Sequence, residues 1–176
     1  MKNAKVRMFF TGKMKFKQHK QSKHDNYVPA VGEKIGLPRL FTVSRSSGEM
    51  HRNAIKNNAR LLGLNEHEFK TAVPCGIGRR CCLIGLCTSI IDHCVRQLEL
   101  DPIAHREGSH ALARGVKTLL LASAAEDDGD GPNDDEQKVL DKLRARLQVA
   151  ENCGGLKSIA NEVLLAIERF EACRIG

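Results

Sequence analysis

Lys5, Arg7, Lys13, Lys15 and Lys17 are interleaved with Val6, Met8, Phe9, Phe10 and Phe16 at the start of the chain. Cations at this density can neutralise successive phosphates of a polyanion and release its condensed counterions. Aromatic rings set among them can stack on bases. Arg52, Lys56 and Arg60 repeat the chemistry at i, i+4 and i+8, one turn apart on a single helix face. Arg79 and Arg80 follow Gly76-Ile77-Gly78, where backbone amides at a helix start and two guanidiniums could hold a phosphate. No strand signal precedes those glycines, Cys81 replaces a third glycine, and no Lys-Ser/Thr pair follows, so a nucleotide-binding fingerprint is absent. A helix cap with two exposed arginines is the simpler reading.

The cysteines are the second group with chemical potential. Seven occur, and Cys75, Cys81, Cys82, Cys87 and Cys94 crowd into twenty residues that also hold His93, with Cys153 and Cys173 apart. Tetrahedral zinc sites use short paired spacings such as Cys-x2-Cys, and these cysteines lack them, so no metal is expected. Cys87 and Cys94 coincide with the apolar stripe Leu83, Cys87, Ile90, Cys94 and Leu98 and read as small core residues. A cysteine nucleophile would need a partnered histidine in an electropositive pocket. No serine triad, kinase motif or carboxylate pair is present, and neither a catalytic residue nor a cofactor is assigned. An odd thiol count without a 7–15-residue apolar leader core fits reduced thiols in a cytoplasmic or nuclear setting. A mitochondrial presequence would favour Arg and Ser over the Lys, His and Gln of residues 1–24. No apolar run reaches the roughly 20 residues of a membrane helix.

Elements of two kinds must position these groups. Alternation on either side of Thr11-Gly12 predicts a β-hairpin over residues 5–18. Only a three-residue loop at 11–13 separates the faces: Phe10 then opposes Met14, Met8 opposes Phe16, and Arg7 opposes Lys17 on a basic face that also carries Phe9. Like charges directly opposed destabilise a ladder, so the arrangement implies a bound polyanion, with Phe9 stacking and the other aromatics, Phe10, Phe16, Tyr27 and Phe41, in the same segment. Residues 19–37 read as polar and irregular, punctuated by Pro29, Gly32 and Gly36, and Leu40–Val43 as a short strand.

From there the pattern is helical. Ser46 with Glu49 is a capping-box pair before a helix at 48–62, and Asn65 with Glu68 another before 66–73, ended by Pro74. Further helices are predicted at 79–99, from Asp101-Pro102 to about 125, from Asn133 and Glu136 to 151, and at 156–173 with the stripe Leu156, Ile159, Val163, Leu164 and Ile167.

Ala59, Gly63, Leu64, Phe69 and Ala72 occupy the spacings of a tight turn between two packed helices, and residues 55–73 resemble a helix-turn-helix. Asn58 departs from it where an apolar residue is usual, and Glu66 and Glu68 would meet a phosphate groove with like charge. Glu126-Asp127-Asp128-Gly129-Asp130-Gly131 resembles an EF-hand loop but departs at Glu126, Asn133 and Gln137. Without its bidentate last ligand it reads as an acidic linker.

The net charge of +7 is unevenly spread. Residues 1–60 hold 14 Lys/Arg against 3 Asp/Glu, and residues 61–176 hold 14 against 18. The expectation is a mainly α protein: a basic N-terminal β-hairpin and arm over 1–47, then a bundle of about five helices over 48–176. Its wide Leu- and Cys-rich stripes leave room for a homodimer. The expected function is non-catalytic nucleic-acid binding, RNA ahead of DNA, through backbone and shape. The contacts would come from Lys5, Arg7, Phe9, Lys13, Lys15, Lys17, Arg52, Lys56, Arg60, Arg79 and Arg80. Two other classes fit the same features: an interaction module or effector whose basic arm docks an acidic protein or membrane surface, and a small cysteine-dependent enzyme.

Overall fold

Val6, Phe9 and Phe10 lie at i, i+3 and i+4, and in the computed structural model they are the inner face of a helix. The structure describes residues 1–20, 23–29, 41–74, 78–125 and 132–172. The punctuation at Gly32 and Gly36, Leu40, the segment Cys75-Gly76-Ile77, residues 126–131 with their EF-hand-like pattern, and Cys173 lie outside those residues.

Helix α1 (Asn3–Met8) runs into a π-helical turn over Phe9–Lys13. This replaces the hairpin expected over 5–18. The run Val6, Met8, Phe10 satisfies a strand period, while Val6, Phe9, Phe10 satisfies a helix. The second set is at most 2% exposed and Met8 is 71% exposed, so burial selects the helix. The hairpin of this region comes later. Strands β1 (Phe16–Lys20), β2 (His24–Pro29) and β3 (Phe41–Ser44) form an antiparallel sheet in that order. Gln18, Tyr27 and Phe41 are aligned across the three strands, as are His19, Asn26 and Thr42. Side chains aligned in this way share a face. The face holding Phe16, Tyr27, Phe41 and Val43 is buried, and Phe10 packs on it with ring centroids 5.0–5.7 Å from Phe16, Tyr27 and Phe41. The opposite face carries Lys17, His19, Asn26 and Thr42.

Helix α2 (Arg52–Leu61) is capped by His51, whose Nδ1 accepts from the Asn53 amide. The expected Ser46–Glu49 capping box does not form. Ser46 Oγ accepts from Asn3 Nδ2 and Ser44 Oγ, Glu49 pairs with the terminal amine, and the helix starts beyond both. Helix α3 (Glu66–Ala72) has the anticipated box: Asn65 Oδ1 accepts from the Glu68 amide at 2.9 Å, and Glu68 Oε2 from the Asn65 amide at 2.7 Å. Gly63 turns the chain between the two helices at φ +69°, a conformation open to glycine. Ala59, Leu62, Phe69 and Ala72 are buried, and α2 and α3 pack on each other across this tight turn. Asn58, the polar departure, is buried and its Nδ2 donates to the Thr42 carbonyl, tying α2 to β3.

Helices α4 (Arg79–Leu100), α5 (Arg106–Ala124), α6 (Asp134–Ala150) and α7 (Lys157–Ala172) complete a mainly helical protein. The predicted stripe of α4 is buried in full, as are Leu156, Ile159, Val163 and Ile167. Asn133 and Glu136 form their box at the start of α6. α7 packs against both α5 and α6, and Arg144 of α6 grips Glu171 of α7 through both carboxylate oxygens at 2.8 and 2.7 Å. α4 is long and apolar enough to cross a membrane by length and composition, and two-thirds of that stretch is buried inside the protein.

Two compact units result, Met1–Cys82 and Leu83–Gly176. The first unit holds α2 and α3 together with the sheet: Asn58 donates to Thr42 of β3, and Phe69 packs on Phe9 and Phe10. In the second unit, Gly154 sits at φ +48° with Leu98 where a Cβ would meet its side chain at 2.9 Å. Gly154→Ala is expected to cost about 1–3 kcal/mol from left-handed backbone and crowding. A lowered thermal midpoint by circular dichroism checks this.

Candidate nucleic-acid interface

The α2 stripe is built by a simple division of faces. Ile55, Asn58, Ala59 and Leu62 turn inward, which leaves Arg52, Lys56 and Arg60 in solvent, each about 6 Å further along the axis. Arg52 Nε lies 3.5 Å from Glu66 Oε2, and Arg60 Nη2 donates to Asn57 Oδ1 at 3.3 Å. Lys56 has no partner among the described residues. The Glu66 carboxyl is held below the usual range first by the hydrogen bond from Lys70, with the Lys70 and Arg52 charges adding to it.

The N-terminal cations divide into two groups. Lys5, Lys15 and Lys17 are exposed. Lys17 lies on the outer sheet face, and Lys15 precedes β1 at φ +51°, a strained conformation for a residue with a Cβ. Arg7, Lys13 and Arg79 are half-buried and spent on carbonyls of their own unit. Arg7 Nη1 donates to Ser44 at 2.6 Å, Lys13 Nζ to Ala72 at 3.0 Å, and Arg79 Nε to Met14 at 2.9 Å. Each crosses a sequence gap of 37 residues or more, so these cations staple the fold. Arg7 does not oppose Lys17, which pairs across the ladder with Val28. Arg80 is 5% exposed and is not presented as the solvent-facing cap arginine expected. Gly76 and Ile77 of that motif lie outside the described residues.

Base stacking loses its residue. Phe9 is 2% exposed, edge-on to Phe10 and Phe69 at 5.3 and 5.9 Å, with Lys13 Nζ 5.8 Å above its ring. The helical turn that replaces the strand is what carries Phe9 inward. Phe10, Phe16, Tyr27, Phe41, Phe69 and Phe170 are buried too, so every aromatic side chain of the protein is in a core. Burial foremost, then the Asp25 charge, pushes the Tyr27 phenol up to about 12.

Within Met1–Cys82, the described exposed cations that the sequence pattern did not single out are Lys2, Lys20, Lys23, Arg45 and Lys70, of which Arg45 pairs with Asp25. Lys20 ends β1 and Lys23 precedes β2, in a segment that reads as irregular; after Phe16 every residue of β1 is polar, so no alternation marks the strand. With Lys70 and the α2 stripe they belong to one unit of 17 Lys/Arg against 5 Asp/Glu, while Leu83–Gly176 holds 11 against 16. The division of charge follows the division of the fold.

The cysteines are placed for packing. Cys81, Cys82, Cys87 and Cys94 are buried, and burial pushes Cys82, Cys87 and Cys94 up to about 12. Cys153 is partly exposed, and burial ahead of the Glu99 charge raises it as well. Among the described residues no three His, Cys, Asp or Glu side chains are grouped to hold a metal. A brief iodoacetamide pulse on native protein near neutral pH is expected to leave Cys81, Cys82, Cys87 and Cys94 unlabelled until denaturant is added, as read by peptide mass spectrometry. Rapid selective labelling of one of them would restore a thiol-chemistry reading.

No known protein family, curated protein or solved structure matches this chain.

Proposed function

We propose that the Met1–Cys82 unit binds the phosphate backbone of nucleic acid without catalysis, RNA ahead of DNA. The single observation behind this reading is the concentration of positive charge in one folded unit, with Arg52, Lys56 and Arg60 held together on the solvent face of α2. A helix with three cations in line can follow a strand of phosphates, and such contacts position a protein without reading sequence.

The burial of all aromatics sharpens the reading. Binding of single strands leans on aromatic platforms, and this protein offers none. Double-stranded segments are recognised through phosphates and shape, which cations alone can do. Exposed contacts are therefore assigned to Lys5, Lys15, Lys17, Arg52, Lys56 and Arg60, while Arg7, Lys13, Arg79 and Arg80 support the fold.

Fluorescence anisotropy with a labelled RNA duplex, a DNA duplex and a single-stranded RNA, each competed with polyglutamate and with anionic vesicles, tests the proposal. The expected order is RNA duplex, DNA duplex, single strand, with the two competitors weak. Preferential capture by polyglutamate would favour an acidic protein partner, and capture by vesicles a membrane surface; either outcome overturns the nucleic-acid reading.

A further inference from the structure

Glu66 opens α3, and two cations from two helices meet on its carboxylate. Oε2 lies 3.5 Å from Arg52 Nε of α2, and Oε1 lies 2.8 Å from Lys70 Nζ one turn further along α3. The carboxylate is 25% exposed, whereas Arg52 is 72% and Lys70 47% exposed, so the pair can be reached from solvent while the anion sits behind it. Glu68, two residues on, is engaged differently: its carboxylate closes the capping box on the Asn65 amide. Of the two carboxylates that argued against a nucleic-acid contact here, one is bound to backbone and the other to the cations themselves.

A guanidinium and an ammonium converging on one oxyanion are the donor set that also holds a phosphodiester. We propose that Arg52 and Lys70 are a phosphate-binding pair of the α2–α3 surface, closed in the free protein by Glu66, which a nucleic-acid phosphate displaces. The inference rests on the nucleic-acid reading of the N-terminal unit. It adds Lys70 to the interface and gives Glu66 the role of a built-in competitor that lowers affinity. Exposed ion pairs of this kind are weak, so a polyanion that touches the surface at several points can open the pair at little cost.

The test measures binding of a labelled RNA duplex by the full chain as a function of salt. Glu66→Gln is expected to tighten binding about threefold or more at 0.1 M salt, and to steepen the dependence of log K on log salt by about 0.7–0.9 for each further phosphate that the freed cations neutralise. Glu68→Gln removes the same formal charge, keeps the capping box and releases neither cation, so its effect on affinity is expected to be clearly smaller. In an Arg52→Gln/Lys70→Gln background, Glu66→Gln is expected to change affinity no more than Glu68→Gln does in the wild type. Unchanged thermal midpoints confirm that each variant is folded. Equal tightening by Glu66→Gln and Glu68→Gln, or tightening that survives undiminished in the double background, would reduce the effect to net charge and overturn the proposal; so would an unchanged affinity of Glu66→Gln beside a wild type that binds. A wild type without salt-dependent binding would remove the underlying reading as well.

Discussion

Phe10→Ala is expected to destabilise the N-terminal unit by about 3–5 kcal/mol. Phe10 is fully buried, and its ring has Phe9, Phe16, Tyr27, Phe41 and Phe69 within 5.0–6.4 Å. It therefore joins α1, all three strands' inner face and α3 at one point. Truncation removes the transfer energy of the ring and leaves a hole that neighbours on several different elements cannot close together. Domains of this size retain on the order of 5–15 kcal/mol, so the loss is a large share of the total. Tyrosine fluorescence isolates the effect. The chain has one Tyr and no Trp, and Tyr27 lies in this core, so the signal reports on this unit alone. Its urea midpoint is expected to fall steeply for Phe10→Ala and only slightly for Phe10→Leu. An unchanged midpoint for the alanine variant would mean that the helix and turn over 3–13 are not packed as described.

Replacing Arg52, Lys56 and Arg60 together by Gln is expected to weaken RNA binding on the order of 10²-fold at 0.1 M salt. Each phosphate left un-neutralised removes about 0.7–0.9 from the slope of log K against log salt, and the effects add because the three residues act on successive phosphates. Stability is expected to change little. The three positions are solvent-exposed, Gln has a helix propensity close to those of Lys and Arg, and exposed ion pairs such as Arg52–Glu66 are worth about 0–1 kcal/mol. A matched thermal midpoint with a collapsed affinity separates function from folding. Retained affinity would move the interface away from α2.

What the sequence disclosed and what it withheld follow a physical line. The boxes Asn65–Glu68 and Asn133–Glu136 and the stripe from Leu83 to Leu98 are local, so they could be read directly. Ser46–Glu49 has the same pattern but Asn3, 43 residues away, takes the Ser46 hydroxyl. The segment from Val6 to Phe10 fits both periods over so short a run that neither wins locally. Phe41 and Phe69 decide it, and neither is near in sequence. β2 was missed because Asp25 and Asn26 look like loop residues; Arg45, through an ion pair at 3.5 Å, and the Thr42 hydroxyl, donating at 2.9 Å, make their burial tolerable.

The candidate site divided in the same way. The i, i+4, i+8 stripe on α2 was legible because a helix face is local. Whether a cation reaches solvent was not. Arg7, Lys13 and Arg79 look the same in sequence as Lys5, Lys15 and Lys17, but they are half-buried on the distant carbonyls of Ser44, Ala72 and Met14 while the other three are exposed. The Glu66 contact had a readable half, the i, i+4 pair with Lys70, and a hidden half, Arg52 across the helix turn.

If the side chains of this unit displace counterions from a phosphate chain, the slope of log K against log salt for the wild-type protein on an RNA duplex measures that displacement itself. Between about 50 and 200 mM salt, log K is expected to fall linearly with a slope of about −2 to −5, equivalent to roughly three to six neutralised phosphates. A slope near zero, with measurable affinity, would contradict it.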